Sequence, residues 1–147
     1  MATTTRVVFG ADANGMPLKE AVKQHVAEAG YQVVDLCEQP AADFVDAATA
    51  VARDLLAHDE GSMGLCFDEY GVGSYMAATK VKGMVAANVS DERSAYMTRE
   101  HNNARMMCMG TGVVGVDVAC TIADEFLKSN YAAGRHQIRV DMLNKMA

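Results

Sequence analysis

Apolar residues fall along this chain in two alternating rhythms. Short runs at Arg6 to Gly10, Gln32 to Leu36, Gly64 to Phe67, Met84 to Val89 and Met106 to Met109 read as buried strands. Between them, apolar positions recur at helical spacing: Leu18, Ala21, Val22, Val26 and Ala29, then Ala47 to Leu56, the small-residue stretch Ser74 to Lys80, and Gly115 to Asn130. The punctuation agrees with these limits. Pro17 suits a first helical turn, Gly30 closes that helix, and Ser90, followed by Asp91 and Glu92, predicts the cap of the helix that delivers His101. A last helix, Arg135 to Lys145, follows Gly134 with no strand after it, so its apolar Ile138, Met142 and Leu143 are expected to dock on their own domain or on a neighbouring subunit.

Five strands alternating with helices require right-handed parallel crossovers. The predicted fold is therefore α/β and doubly wound (Rossmann-like): a five-stranded parallel sheet with helices on both faces and an extra C-terminal helix. At 147 residues the chain fits one domain, residues 1–147. Ligands of open parallel sheets usually bind outside the carboxyl ends of the strands, which directs attention to the loops near Gly10, Phe67 and Gly110.

Composition narrows the partners. Half the residues are apolar and the net charge is −6, so no global basic balance points to nucleic acid or an anionic membrane. Any anionic ligand must be held locally. Cys37, Cys66, Cys108 and Cys120 lack CxxC spacing and lie in or beside apolar runs, as expected of reduced thiols without disulfides or a zinc site. With no export leader or membrane-length apolar stretch, a cytoplasmic location is the expectation.

Several residues are candidates for chemistry. His101 and Asn102, at a helix end, read either as a C-cap with a partly exposed ring or as site residues. Arg135 and Arg139 share a helical face and could converge on one dianion, or lie on a solvated face with Arg139 paired to Asp141. Gly71-Val72-Gly73-Ser74 offers backbone N–H groups for an anion or a sugar hydroxyl, but Met76 stands where a dinucleotide fingerprint needs a third glycine. Asp12 could bind a sugar hydroxyl or cap the next helix. Cys66 reads as a buried, inert thiol, whereas Asp68 and Glu69 could supply a base or be loop surface.

Taken together, four motifs span essentially the whole chain: Phe-Gly-Ala-Asp (9–12), Gly-Val-Gly-Ser-Tyr-Met-Ala-Ala-Thr-Lys (71–80), Arg-Glu-His-Asn-Asn-Ala (99–104) and Ala-Gly-Arg-His (133–136) with Arg139. In combination they resemble the ribose-5-phosphate isomerase type B and galactose-6-phosphate isomerase family. The resemblance implies interconversion of aldose and ketose phosphates through an enediol, without metal or cofactor. It makes His101 the group that assists ring opening, Asn102 a substrate ligand, and Arg135 and Arg139 the phosphate ligands. It also implies a site shared by two subunits, in which one contributes the loops after strands one and three, with Asp12, Gly71 and Gly73, and the other contributes His101, Asn102, Arg135 and Arg139.

The departures from the family pattern fall on one side. Where the family has a catalytic Cys opening a Cys-Gly-Thr-Gly loop, this chain has Asp68, Glu69 and Tyr70 ahead of Gly71, and Cys66 lies two residues too early. A Glu used by one branch after the last glycine of that loop is replaced by Ser74, the family's Asp-His reads Asp12-Ala13, and an Arg near Gly112 is missing. The resemblance therefore implies a hetero-oligomer built from dimers, in which a paralogous Cys-bearing subunit completes the site. Its implied reaction is galactose 6-phosphate to tagatose 6-phosphate. A self-sufficient enzyme using Asp68 or Glu69 on ribose 5-phosphate, and a non-catalytic phosphosugar-binding scaffold, are the alternatives.

Overall fold

A computed structural model describes residues 4–58 and 61–146. Residues 1–3, part of the expected leaderless start, lie outside them. The five strands are β1 (Arg6–Ala11), β2 (Gln32–Asp35), β3 (Met63–Asp68), β4 (Ala86–Asn88) and β5 (Met106–Gly110). They form one parallel sheet in the order β2-β1-β3-β5-β4. The helices are α1 (Met16–Glu28), α2 (Phe44–Ala57), α3 (Val72–Thr79), α4 (Glu92–Asn102), α5 (Val116–Lys128) and α6 (Gln137–Lys145). This is the doubly wound, Rossmann-like arrangement expected. Among the described residues no helix is long and apolar enough to cross a membrane.

Alternation along the strands divides the interior in two. Val7, Phe9, Leu65, Phe67, Met107 and Met109 point to the face covered by α1, α4 and α5. Val8, Cys66, Met106 and Cys108 point to the face covered by α2 and α3. On that second face α2 lies close to the sheet, because a Cβ at Gly10 or Gly64 would come 2.6 or 2.7 Å from Val51. Those two glycines set the helix-to-sheet spacing.

Some boundaries differ from the sequence expectation, each for a local reason. Helix α2 starts at Phe44 rather than Ala47, because Asp43 caps it by accepting from Asp46 N at 2.9 Å. Helix α4 is capped by Asp91 rather than Ser90: Asp91 is extended, and its carboxylate accepts from Ser94 N and Ser94 Oγ at 2.7 and 2.8 Å. Strand β4 keeps only Ala86–Asn88 of the expected six residues, since it is an edge strand with one neighbour. Arg135 lies in a 3-10 turn, Gly134–His136, ahead of α6, where Ala133 and Gly134 both adopt positive φ and reverse the chain. Helix α6 buries Val140 against its own domain and leaves Ile138, Met142 and Leu143 exposed.

One buried cation ties α1 to β2. The Lys19 ammonium donates to Asp35 Oδ2 at 2.7 Å and to Cys37 O at 2.6 Å, and Glu20 lies 2.8 Å away. Burial works against the Asp35 carboxylate, but bonds from Lys19, Lys23 and the Cys37 N–H outweigh it and lower its pKa below the ordinary 3.8. We expect Asp35→Asn to destabilise the chain by about 2 kcal/mol at neutral pH, below the cost of a fully orphaned buried charge because Glu20 and Cys37 O remain. A depressed carboxyl pKa stabilises above its unfolded value, and that contribution is lost as pH falls through the folded value. Urea midpoints of the two proteins should therefore converge below about pH 3.8, and a gap that widened on acidification would contradict this account.

Candidate active site

The sequence motifs collect at opposite ends of the sheet. Asp12, Gly71 and Gly73 follow β1 and β3, at the carboxyl edge. His101 and Asn102 close α4, which runs back from that edge to the start of β5, so they lie at the amino edge. Arg135, His136 and Arg139 follow α5, which returns the same way. The Ala132 N–H donates to Glu100 O at 2.9 Å and fastens this segment to the last turn of α4. The six residues of β3 span roughly 20 Å, so the two groups are held about that far apart in one chain. The expected location near Gly10, Phe67 and Gly110 thus holds for only three of the seven candidate residues.

At the amino edge, His101, Asn102, Arg135, His136 and Arg139 line one open depression of about 460 Å3. The His101 and His136 rings stack with centroids 4.1 Å apart and an interplanar angle of 14°. Arg135 is carried in the turn and Arg139 in the first turn of α6. Arg139 Nη1 donates to the backbone carbonyl of Arg135 at 3.4 Å, and both residues line the depression. Asp141, considered above as a partner for Arg139, instead accepts from Gln137 Nε2 at 2.8 Å. Among the described residues neither arginine meets a carboxylate. Asn102 is exposed, with no side-chain hydrogen bond among the described residues. Asn103, next to it, takes the left-handed C-cap position. The capping role considered for the His-Asn pair therefore falls to Asn103, leaving Asn102 available to a ligand.

His136 is the member of this cluster that residue-by-residue reading of the sequence passed over, although it stands beside Arg135 in the fourth motif. Burial, the neighbouring His101 and Arg135 lower its pKa from the ordinary 6.5, Arg139 adding to the effect and Glu100 opposing it. The pocket thus resists protonation of this ring, and its contribution to stability is lost as pH falls through the lowered value. In an NMR titration His136 should show a midpoint below 6.5, moved upward by Arg135→Gln. A midpoint at or above 6.5 in the unmodified chain would refute the arrangement.

The carboxyl edge is arranged quite differently. Asp12 Oδ1 accepts from Gly15 N at 3.0 Å, so the carboxylate closes the turn into α1. Gly71 has φ of +79°, and a Cβ there would meet the Asn88 amide at 2.3 Å. Gly73 faces the Phe44 ring, which an added Cβ would approach to 2.9 Å. Asp68 is 5% exposed, and its carboxylate accepts from Gly71 N, from Ser74 N at 2.9 Å and from Ser74 Oγ at 3.0 Å. Two of the four N–H groups at the start of α3, those of Gly71 and Ser74, are thus occupied by the chain's own carboxylate, which places a negative charge where a ligand anion would approach. Cys66 offers no substitute nucleophile. It is fully buried, and burial pushes its thiol up to about 12, so the thiolate is negligible at neutral pH.

Comparison with known proteins gives the family. A model of the Ribose/Galactose Isomerase family matches residues 7–143. The chain is 58% identical over 141 residues to galactose-6-phosphate isomerase subunit LacA of Streptococcus equi subsp. equi, covering 96% of this chain and 99% of that protein. It is 53% identical over 142 residues to the subunit of the same name from Enterococcus faecalis, covering 97% and 99%. Among solved structures, ribose-5-phosphate isomerase B from Mycoplasma genitalium with bound ribulose-5-phosphate superposes with a TM-score of 0.91 at 34% identity, covering 97% of this chain and 96% of that one. The Thermotoga maritima ribose 5-phosphate isomerase superposes with a TM-score of 0.92 at 27% identity, covering 98% and 100%. With matched motifs along its length and the fold of these enzymes, the chain belongs to the Ribose/Galactose Isomerase family.

Proposed function

We propose that this chain is one subunit of an aldose-ketose isomerase that converts galactose 6-phosphate to tagatose 6-phosphate, and that it supplies the ring-opening and phosphate-binding half of a site completed by a paralogous, Cys-bearing subunit. The observation that carries this reading is the separation of the two half-sites. The amino-edge pocket has an imidazole, an exposed amide and two guanidinium groups that meet no carboxylate among the described residues, while the carboxyl edge of the same chain is roughly 20 Å away and has its Gly71 and Ser74 N–H groups taken by Asp68. The similarity to two proteins named as galactose-6-phosphate isomerase subunits supports the choice of sugar.

In this reading Arg135 and Arg139 hold the substrate phosphate by charge-assisted hydrogen bonds. Asn102 orients the sugar hydroxyls. His101 delivers a proton to the ring oxygen as its bond to the anomeric carbon breaks and the anomeric hydroxyl gives up its proton to form the carbonyl, and the stack on His136 fixes the His101 ring plane. The partner's thiolate then removes the proton from the carbon next to the carbonyl as the carbonyl oxygen gains one, and the enediol collapses to the ketose when the thiol returns its proton to the former carbonyl carbon and the neighbouring hydroxyl gives up its own. Asp12, Gly71 and Gly73 serve the chain's own fold at the carboxyl edge, Asp12 closing the turn into α1 and Gly71 donating to Asp68.

The test is to purify the chain alone, the Cys-bearing subunit alone and the two together, and to assay galactose 6-phosphate and ribose 5-phosphate with each. Isomerisation of galactose 6-phosphate should require both subunits. Substantial activity of the chain by itself on either sugar would overturn the half-site reading. An equally active partner without this chain would reduce the chain to a scaffold.

A further inference from the structure

A second cavity opens near the amino edge of the sheet and shares no residue with the His101 pocket. It is larger, about 650 Å3 against about 460 Å3, and within the usual range of small-molecule sites. Arg99, Asn103, Arg105, Tyr131, Gln137 and Asn144 supply its polar lining. The side chain that calls for explanation is Arg99. It is only 7% exposed, and its Nη1 donates to Asn103 Oδ1 at 2.8 Å and to Ala104 O at 2.9 Å. Its Nε is buried without an acceptor, and no carboxylate among the described residues pairs with it.

A buried guanidinium held only by neutral oxygens lacks the counter-charge that such burial ordinarily demands. Burial lowers the pKa of Arg99 and the nearby Arg105 lowers it further, so the surroundings add positive potential instead of cancelling it. Arg105 is itself engaged, donating to Ser62 O at 3.2 Å and Leu55 O at 2.9 Å. The other buried side-chain polar atom without a partner among the described residues is Ser62 Oγ, next in sequence to Gly61 on the cavity wall. The two orphaned polar groups therefore belong to one neighbourhood.

The rest of the wall is uncharged and polar. Tyr131 donates to Gln137 Oε1 at 2.8 Å, which fixes that wall, while the carboxamides of Asn103 and Asn144 are placed to meet hydroxyl groups. A bare phosphate would fill a small part of this volume. We propose that the cavity is a second anion site, separate from the isomerase pocket, that takes a small phosphorylated polyol with its phosphate on Arg99 and its hydroxyls toward Asn103 and Asn144.

The test uses the full chain carrying Arg135→Ala and Arg139→Ala, which removes the arginines of the other pocket. Melting temperature is followed against inorganic phosphate, glycerol phosphate and a hexitol phosphate, with sodium chloride at matched ionic strength as control. The expected result is a saturable rise of roughly 5 °C once ligand reaches about a hundred times its Kd, larger for the phosphate esters than for inorganic phosphate. A response of equal size to inorganic phosphate would assign the site to the free anion and overturn the polyol part of the proposal. Arg99→Gln should abolish the rise. If that variant does not fold, Asn144→Phe, an exposed substitution that fills the cavity mouth, decides the matter by reducing the ester response at least tenfold in apparent affinity. A rise no larger than that with chloride, or one that survives Asn144→Phe unchanged, would refute the site.

Discussion

Within the proposed two-subunit enzyme, His101→Asn should lower kcat by roughly 10²–10⁴-fold while the subunits still assemble. The range is that of a positioned proton-transfer group, and His101 is placed for that role by the end of α4 on one side and the His136 ring, 4.1 Å away, on the other. Its side chain is half-buried and, among the described residues, makes no hydrogen bond on which the fold depends. Losing the ring should therefore cost the stability of one stacked pair, about 0.5–1.5 kcal/mol, which thermal melting can measure beside the assay. Turnover within threefold of the unsubstituted enzyme would remove His101 from the chemistry and favour a scaffolding role for the chain.

Asp68 should behave in the opposite way. Asp68→Ala leaves Gly71 N, Ser74 N and Ser74 Oγ without their acceptor in a buried turn, and each orphaned donor costs about 1–3 kcal/mol. We expect a loss of roughly 4 kcal/mol in urea denaturation, enough to threaten folding in a domain of this size. Asp68→Asn should cost less but still substantially, because its amide would present a donor to a donor. Whatever enzyme assembles from these variants should keep its turnover per complex, since Asp68 faces the interior of its own chain. A variant that stayed fully stable yet lost activity would make Asp68 a chemical participant and revive the self-sufficient reading.

The contrast between these residues also explains what sequence could and could not reveal. The strands and most helices were legible because period-two and helical spacing survive in the text of the chain, and Pro17 and Gly30 mark the ends of α1 where the structure has them. The gathering of His101, Asn102, Arg135 and Arg139 was accessible through the motifs, but their place at the amino edge was not. It follows from α4 and α5 both running back across the sheet, a long-range consequence that no local pattern encodes. Asp68 was ambiguous for a related reason. A carboxylate at a strand end looks the same in sequence whether it faces solvent or accepts three hydrogen bonds from the next helix. His136 was hidden because its significance is a ring contact with a residue thirty-five positions earlier.

The opposed placement of the two edges also sets a count. In the proposed pairing, an antiparallel pair of this chain with its partner brings edges together twice. One junction joins the His101 pocket to the partner's thiol loop. The other joins the partner's amino edge to a loop in which Asp68 already takes the Gly71 and Ser74 N–H groups. In this reading such a pair holds one working centre and one impaired by that carboxylate, so a tight substrate analogue should titrate to one equivalent per two chains. Gene duplication would then have relaxed selection on half of each surface.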